Sequence, residues 1–317
     1  MTGQNTAQIY VSLVIPCFNE EAAIPLFYEE TVKTFSTTQP EKEFDFIFID
    51  DGSTDKTLEV LQNLAKKDNR VHYISFSRNF GKEAAILAGL QAASGEYVAT
   101  LDADGQDPPA LIPQMLEAVE SGEYDCAGTR RVTRKGEPRV RSFFARRFYA
   151  LMEKITDIKI LDGARDFRLF NRKYLEAVRS LPERGRFSKG IFPWVGFKTR
   201  WFEYENIERK TGKTKWSFWK LFLYSLDGIT AFSSKPLTIA SFMMSTLLFI
   251  AAIGFTGFII IRKMIWGDPV RGWASLICII LFCSGIQFFI TGILGQYLSK
   301  IYMEVKGRPH YIIQEAV

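Results

Sequence analysis

Apolar residues in the first half of the chain fall into short blocks separated by stretches of helical spacing, and the alternation is regular. Tyr10 to Ile15 is a β-rich apolar run that predicts a strand, and Glu20 to Phe35 predicts a helix with Asn19 as its N-cap. Phe44 to Ile49 is a second strand, Asp55 to Lys66 a helix with Leu58, Leu61 and Leu64 on one face, and Val71 to Ser75 a third strand. Helix Lys82 to Ala93, strand Tyr97 to Leu101, helix Pro109 to Glu120 and strand Tyr124 to Ala127 continue the series. Such alternation predicts an α/β fold, a mostly parallel sheet covered on both faces, whose ligands bind outside the carboxyl ends of the strands.

Beyond Gly128 the pattern changes. A basic segment gives way to a helix from about Arg141 to Ile155, then to strands at Asp166–Phe170 and Val195–Tyr204. Trp216 to Phe232 sets Trp216, Phe218, Trp219, Leu221, Phe222 and Tyr224 among Lys215 and Lys220, the composition of an amphipathic helix lying in a membrane interface. Leu237 to Ile261 and Trp273 to Ser299 carry no Asp, Glu, Lys or Arg, and each exceeds the roughly 20 apolar residues that cross a bilayer core as a helix. The expected organisation is an α/β domain over 1–205, a basic turn and interfacial helix over 206–235, a transmembrane hairpin over 236–300 with spans at about 237–261 and 273–299, and a tail over 301–317.

Arg209, Lys210, Lys213, Lys215, Lys220 and Lys235 precede the first predicted span, and Lys300, Lys306 and Arg308 follow the second. Only Arg262, Lys263 and Arg271 lie between them, so the positive-inside rule puts the N-terminal domain and both termini in the cytoplasm of a cell-membrane protein. No cleavable signal is expected, because the N-terminus lacks a basic region and the apolar stretch Ile9–Pro16 is short and ends in proline.

Composition narrows the chemistry. The formal charge over 317 residues is only +5, but Arg130, Arg131, Arg134, Lys135, Arg139, Arg141, Arg146 and Arg147 form a basic segment beside Phe143, Phe144, Phe148 and Tyr149. In a chain with a predicted membrane hairpin the expected partner is an anionic headgroup or a phosphorylated lipid rather than nucleic acid, a solvated helix face being the plain alternative. Cys17, Cys126, Cys278 and Cys283 show no paired metal spacing, which suits a reducing compartment without disulfides. With His72 and His310 as the only histidines, neither a histidine relay nor a zinc site is expected.

Two acidic clusters fall at predicted strand ends. Asp50-Asp51-Gly52-Ser53-Thr54-Asp55 follows the second strand. Ser53, Thr54 or Asp55 can cap the next helix, a task that does not need Asp50 and Asp51, and adjacent acids there can accept hydrogen bonds from a ribose or a base. Asp102-Ala103-Asp104 closes the fourth strand and leads into Gly105-Gln106-Asp107-Pro108-Pro109. It is either an Asp/Gly turn or a seat for a hard cation, Mg²⁺ or Mn²⁺, which shares its oxygen ligands with substrate phosphates. No Gly-x-Gly-x-x-Gly and no phosphate-binding loop ending in Lys-Ser/Thr occurs, which disfavours a dehydrogenase or a common NTPase.

Val14-Ile15-Pro16-Cys17-Phe18-Asn19-Glu20, Asp50-Asp51-Gly52-Ser53, Arg78-Asn79-Phe80-Gly81-Lys82 and the Asp102–Pro109 segment occur in an order that resembles family 2 glycosyltransferases. The resemblance is closest to polyprenyl-phosphate glycosyltransferases: dolichol-phosphate mannose synthases and, because of the two-span tail, bacterial GtrB-type bactoprenol glycosyltransferases. It implies a Rossmann-like GT-A fold that binds a nucleoside-diphosphate sugar through Pro16, Asn19 or Glu20, Asp50, Asp51, Lys82, Asp102 and Ala103. Asp102 and Asp104, helped by Gln106, would hold Mg²⁺ or Mn²⁺ on the diphosphate, Asp104 thereby joining the catalytic set. The family usually has a larger apolar residue where Gly105 stands, a departure that bears on loop stiffness and leaves both carboxylates in place.

Asp162-Gly163-Ala164-Arg165-Asp166-Phe167-Arg168 resembles the family's acceptor-site motif, with Asp166 in the place of the base and Arg168 facing phosphate. An internal ion pair of Asp166 with Arg165 or Arg168 is the alternative. A phosphate monoester with second pKa about 6 is already largely dianionic at neutral pH, so Asp166 is expected to position the acceptor more than to abstract a proton. Arg130, and Arg209 and Lys215 of the basic turn Arg209–Trp216, would bind the diphosphate or the acceptor phosphate, although the turn could instead serve only membrane topology.

The reaction so implied is inverting transfer of a hexose, from UDP-glucose or UDP-N-acetylglucosamine by preference, to undecaprenyl or another polyprenyl phosphate, with a separate flippase and a downstream envelope transferase. A processive polysaccharide synthase of the same fold would be expected to show Gln-x-x-Arg-Trp and more spans, and the chain has neither. An idle nucleotide-sugar-binding scaffold would not need acids at all three sites. Gly254, Gly257, Gly292 and Gly295 in the predicted spans suit a homo-oligomer.

Overall fold

The apolar runs of the first half settle close to their predicted places in the computed structural model, which describes residues 10–132, 161, 163–205 and 272–317 and isolated positions between 247 and 265. Strands and helices alternate as β1 (Val11–Cys17), α1 (Ala23–Thr38), β2 (Phe44–Asp50), α2 (Thr57–Lys67), β3 (Val71–Phe76), α3 (Lys82–Ala92) and β4 (Tyr97–Thr100). A 3-10 turn at Pro109–Leu111 leads into α4 (Ile112–Glu120), followed by β5 (Cys126–Arg131), β6 (Ala164–Asn171), α5 (Arg172–Arg179), α6 (Ser188–Trp194) and β7 (Thr199–Tyr204). The described C-terminal part holds α7 (Trp273–Val305) and β8 (Ile313–Ala316).

The strand order is β7-β5-β6-β4-β1-β2-β3-β8. β1 pairs in parallel with β2 and β4, β2 with β3, and β5 with β7. The sheet is mostly parallel, as expected, and is mixed only through two reversed strands: β6 runs against both β4 and β5, and β8 runs against β3. From β1 the chain builds β2 and β3 on one side and β4 on the other. The crevice of a doubly wound sheet opens at that reversal, above the carboxyl ends of β1 and β4.

Packing brings the first residue of α3 to that crevice. Leu13, Ile15, Phe46, Phe48, Ile24, Phe27, Phe35, Met115 and Leu116 form one buried cluster, in which Phe35 stacks on Phe44 at 4.1 Å between ring centroids. Each buried ring contributes roughly 1.5–3 kcal/mol. On α3, Ala84, Ala85, Ala88 and Gly89 are buried, and a Cβ on Gly89 would lie 2.2 Å from Val14 Cγ1. Small residues therefore let this helix lie unusually close to the sheet, with Lys82 at its start.

Several elements differ from expectation. α1 begins at Ala23 with Ala22 as its N-cap, and Asn19 instead adopts φ 54° while its Oδ1 accepts from Thr54 N at 2.8 Å. Its amide is spent on bridging to the loop after β2. α2 begins at Thr57 with Lys56 as its N-cap, and Asp55, one residue before the cap, accepts from Thr57 N at 3.0 Å. The run Val195–Tyr204 is a strand only from Thr199, because α6 ends in a turn through Gly196 at φ 77°. α5, α6 and β8 have no counterpart in the sequence prediction. The predicted helices at 141–155 and 216–232 lie outside the described residues.

The chain divides into two compact units, Met1–Ser225 with Arg308–Val317, and Leu226–Gly307. Within the second, α7 runs for 33 residues, and the isolated described positions between 247 and 265 are helical. Among the described residues no helix is long and apolar enough to cross a membrane. Most of 237–261 and several side chains of α7 fall outside them.

Candidate active site

The ends of β1 and β2 are knitted into one wall. Asp50, 2% exposed, accepts from Ser53 N at 3.0 Å and from Ser75 Oγ at 2.8 Å. Asn19 N donates to Ser53 Oγ at 2.9 Å and Glu20 N to Thr57 Oγ1 at 2.8 Å, which fixes the turn after Pro16 against the loop after β2. The buried carboxylate of Asp51 accepts from Phe80 N at 2.6 Å and from Gly81 N at 2.9 Å. The loop before α3 thus lies directly on Asp51 and Gly52. A Cβ on Gly52, whose φ is +64°, would stand 2.3 Å from the carbonyl carbon of Arg78.

Burial is the main reason that the Asp51 carboxyl rises from 3.8 to about 6; the Phe80 and Gly81 amides oppose the rise and Asp50 adds to it. Because the folded value exceeds the unfolded one, this group favours the folded state fully below pH 3.8, and the benefit is lost as pH rises through about 6. Asp51→Asn should therefore gain stability relative to the parent between those two pH values and run parallel to it above them. Denaturant unfolding across that range checks this, and a constant difference throughout would refute the assignment.

A second cluster joins β4, α3 and β6. Lys82 Nζ lies 2.7 Å from Asp102 Oδ1 and 3.0 Å from Asp166 Oδ2, so one ammonium bridges the two carboxylates. Thr100 Oγ1 donates to the Asp166 carbonyl at 2.5 Å, tying the end of β4 to β6. Asp107, 1% exposed, gathers three donors: Asp102 N at 3.1 Å, the Arg165 guanidinium at 3.1 and 3.2 Å, and Tyr204 OH at 3.0 Å. Arg165 also stands 3.9 Å from Asp102. Asp104 is 6% exposed and accepts from Gln106 N at 3.0 Å, and Ala103 between the acids is buried.

Charge is locked in this cluster. Burial works against the charge of Asp166, but Lys82, Lys189 and Arg165 outweigh it and hold the carboxyl well below the usual range. Burial also opposes the charge of Lys82, and Asp102 and Asp166 reverse that effect, holding the ammonium far above the usual lysine value. Among the described residues Asp166 Oδ1 is buried with no hydrogen-bond partner.

The structure brings Pro16, Asn19, Glu20, Asp50 and Asp51 to one wall and Lys82, Asp102, Ala103, Asp104, Gln106 and Asp166 to the other. It does not bring Arg168 there. That guanidinium is 2% exposed and lies between the rings of Phe192 and Trp201, 4.9 and 5.0 Å from their centroids, whereas the resemblance implied that it faces phosphate. It shares a face of β6 with Asp166 but lies two residues farther along the strand, where Phe192 of α6 and Trp201 of β7 enclose it. The ion partner of Asp166 is Lys82, not Arg165 or Arg168. Arg130 pairs with Glu203 at 3.5 Å on a solvated face, and Arg209 and Lys215 lie outside the described residues.

Sequence reasoning gave no role to Asp107, Tyr204, Glu83 or Lys189, and considered Arg165 only as a partner for Asp166. Glu83 accepts from Ser188 N at 3.0 Å, which docks the start of α6 and its Lys189 beside the cluster. The available signal was that Lys82-Glu83 and Gln106-Asp107 place second charged or polar groups next to recognised ones. Among the described residues no group of three or more His, Cys, Asp or Glu side chains gathers to hold a metal, so Asp102 and Asp104 stand as a pair.

Strand-end carboxylates and the cations they orient thus meet at the β1/β4 reversal. Glycosyl transferase family 2 matches residues 12–179, from β1 to the end of α5, and the chain belongs to that family. It is 44% identical over 308 residues to the SfII prophage-derived bactoprenol glucosyl transferase of Shigella flexneri, covering 96% of this chain and 98% of that one. To the prophage bactoprenol glucosyl transferase homolog of Escherichia coli (strain K12) it is 42% identical over 304 residues, with 96% and 98% covered. Within the family the protein is therefore a glycosyltransferase of the GtrB type, and its mixed sheet is GT-A-like. A crystal structure of glucosyl-3-phosphoglycerate synthase from Mycobacterium tuberculosis is 22% identical, with TM-score 0.49 over 71% of this chain and 78% of that one.

Proposed function

We propose that the protein transfers a hexose from a nucleoside-diphosphate sugar to polyprenyl phosphate, undecaprenyl phosphate being the expected acceptor, with inversion at C1. The observation that carries this is the Lys82 bridge, which joins Asp102 of the donor-side motif to Asp166 of the acceptor-side motif through one ammonium. A single displacement needs donor and acceptor phosphates at that spacing, held in line. Similarity to bactoprenol glucosyl transferases supports the lipid acceptor and favours glucose, carried as UDP-glucose, over N-acetylglucosamine.

In this mechanism an oxygen of the acceptor phosphate attacks C1, the bond from C1 to the diphosphate oxygen breaks, and the nucleoside diphosphate leaves with the bonding pair. No proton has to be removed. Asp166, held ionised by Lys82, is poorly suited to take one and serves instead to aim Lys82 and the acceptor. Lys82 and Arg165 offset the charge of the phosphates, Arg165 in an orientation set by Asp107 and Tyr204. Asp51 would lie beside the nucleoside, with the buried Asp50 behind it fixing Ser53 and Ser75.

Asp102 and Asp104, with Gln106, would hold Mg²⁺ or Mn²⁺. They are hard oxygen donors, and Asp102 already receives a cation in the form of the Lys82 ammonium. A bound ion would supply further neutralisation of the leaving diphosphate. The acceptor's tail stays in lipid, so the uncharged stretches 237–261 and 273–299 are assigned as a cell-membrane hairpin, with the sheet domain and both termini cytoplasmic and the protein self-associating. A separate flippase and a downstream transferase would then carry and use the product.

Purified protein incubated with Mg²⁺ or Mn²⁺, undecaprenyl phosphate and a panel of labelled nucleotide sugars tests the proposal. Label should enter the lipid fraction as one sugar per lipid, most rapidly from UDP-glucose. Label found only in long polymer would favour a processive synthase, and label found in no lipid with any donor would favour a binding scaffold.

A further inference from the structure

The C-terminal segment Arg308–Val317 returns to the sheet, touching β3, α2, α3 and Ser77 at the start of one loop of the site. Just past β3, Ser77 N donates to the Ile312 carbonyl at 3.0 Å, and Val317 N donates to the Tyr73 carbonyl at 3.0 Å. Glu315 accepts from Tyr73 OH and from Gln62 Nε2, the latter at 3.0 Å. The Tyr311 ring stacks on Phe76 with centroids 4.8 Å apart and planes 14° apart, and its hydroxyl donates to Gln91 Oε1 at 2.5 Å. Phe76 in turn meets Phe80 edge-on at 5.8 Å, and the Arg78 guanidinium lies 4.0 Å from the centroid of the Phe80 ring. Phe80 and Gly81 are the residues whose amides hold Asp51, and Lys82 follows them.

From this continuous chain of contacts we propose that Tyr311 is a positioning residue for the nucleotide-sugar site: through Phe76 and Phe80 the C-terminal segment holds the loop Ser77–Gly81 against Asp51 and sets where Lys82 begins α3. The inference rests on the reading that Asp51 and Lys82 serve the donor. Beyond Ser77 the loop is outside the sheet ladder, and Gly81 sits at φ 101°, so the contacts of Phe80 bear on how its two donating amides are aligned. A loop left unpinned must be ordered when the donor binds, and that cost appears as lost donor affinity, not as slower chemistry. A segment that merely covered the sheet edge would affect folding stability and leave donor binding alone.

The test uses the full-length protein with Tyr311→Ala and Tyr311→Phe. Hydrogen exchange is followed at the Phe80 and Gly81 amides, UDP binding by calorimetry, and transfer kinetics with donor and lipid varied separately. Tyr311→Ala should speed exchange at both amides and raise the donor KM roughly tenfold, with kcat and the lipid KM changed less than about twofold. Tyr311→Phe keeps the stacked ring and should restore parental values. If Tyr311→Ala does not fold, Tyr311→Leu keeps apolar cover without the stack and carries the same measurements. Unchanged exchange at Phe80 and Gly81 beside a lowered unfolding midpoint, or equal rises in both KM values, would overturn the proposal. A parent protein that bound neither UDP nor any nucleotide sugar would instead sink the functional reading, while the exchange measurement would still decide the coupling.

Discussion

Asp102→Asn is expected to lower kcat by about a thousandfold while leaving the protein folded. Three roles end together in that one substitution. The seat formed with Asp104 loses half its negative charge, the Lys82 ammonium loses a partner at 2.7 Å, and Arg165 loses a carboxylate at 3.9 Å. Lys82 keeps Asp166 at 3.0 Å, and the backbone amide of residue 102 keeps Asp107, so neither group is stranded. The loss should therefore appear in turnover and not in the unfolding midpoint. Steady-state transfer to lipid and thermal unfolding, measured on one preparation, separate the two. Turnover within tenfold of the parent would remove Asp102 from the centre of the site.

Asp107→Ala is expected to have the opposite signature, with stability failing first. Its side chain is 1% exposed and accepts from Asp102 N, the Arg165 guanidinium and Tyr204 OH. Removing it leaves a largely buried arginine without its main counter-charge and the Tyr204 hydroxyl and the Asp102 amide without acceptors. Breaking one side of a buried pair costs about 3–5 kcal/mol. Unfolding in urea should show that loss, and transfer activity should fall too, because nothing then directs Arg165 toward the crevice. Asp107→Asn retains an acceptor oxygen and should lie between the two. Equal stability of Asp107→Ala and the parent would show that Arg165 finds another anion, contrary to the arrangement described.

These two acids mark how far the site could be read in the sequence. Asp102 and Asp50-Asp51 were legible because a strand-forming run stopping at carboxylates is a local signal, and the strands themselves were legible from uninterrupted blocks such as Phe44–Ile49. Asp107 lies one residue beyond Gln106 but acts through Arg165 and Tyr204, which are 58 and 97 residues away in sequence. No local pattern encodes such pairings. Arg165 and Arg168 illustrate the same limit, since both flank Asp166 on one strand, and only the packing of Phe192 and Trp201 decides which guanidinium is drawn away from the crevice. β8 was invisible for a further reason. Ile313-Gln314-Glu315-Ala316 is a short edge strand with little apolar alternation, and its stability comes from Tyr73 and Gln62, some 240 residues earlier.

That edge strand also constrains topology by parity. β8 is hydrogen-bonded into the same sheet as β3, so the chain between β7 and β8 starts from and returns to a single folded body. A sheet cannot be zipped together across a bilayer. If the intervening segment crosses a membrane, it must therefore cross an even number of times, and one or three crossings are incompatible with the β3–β8 pairing.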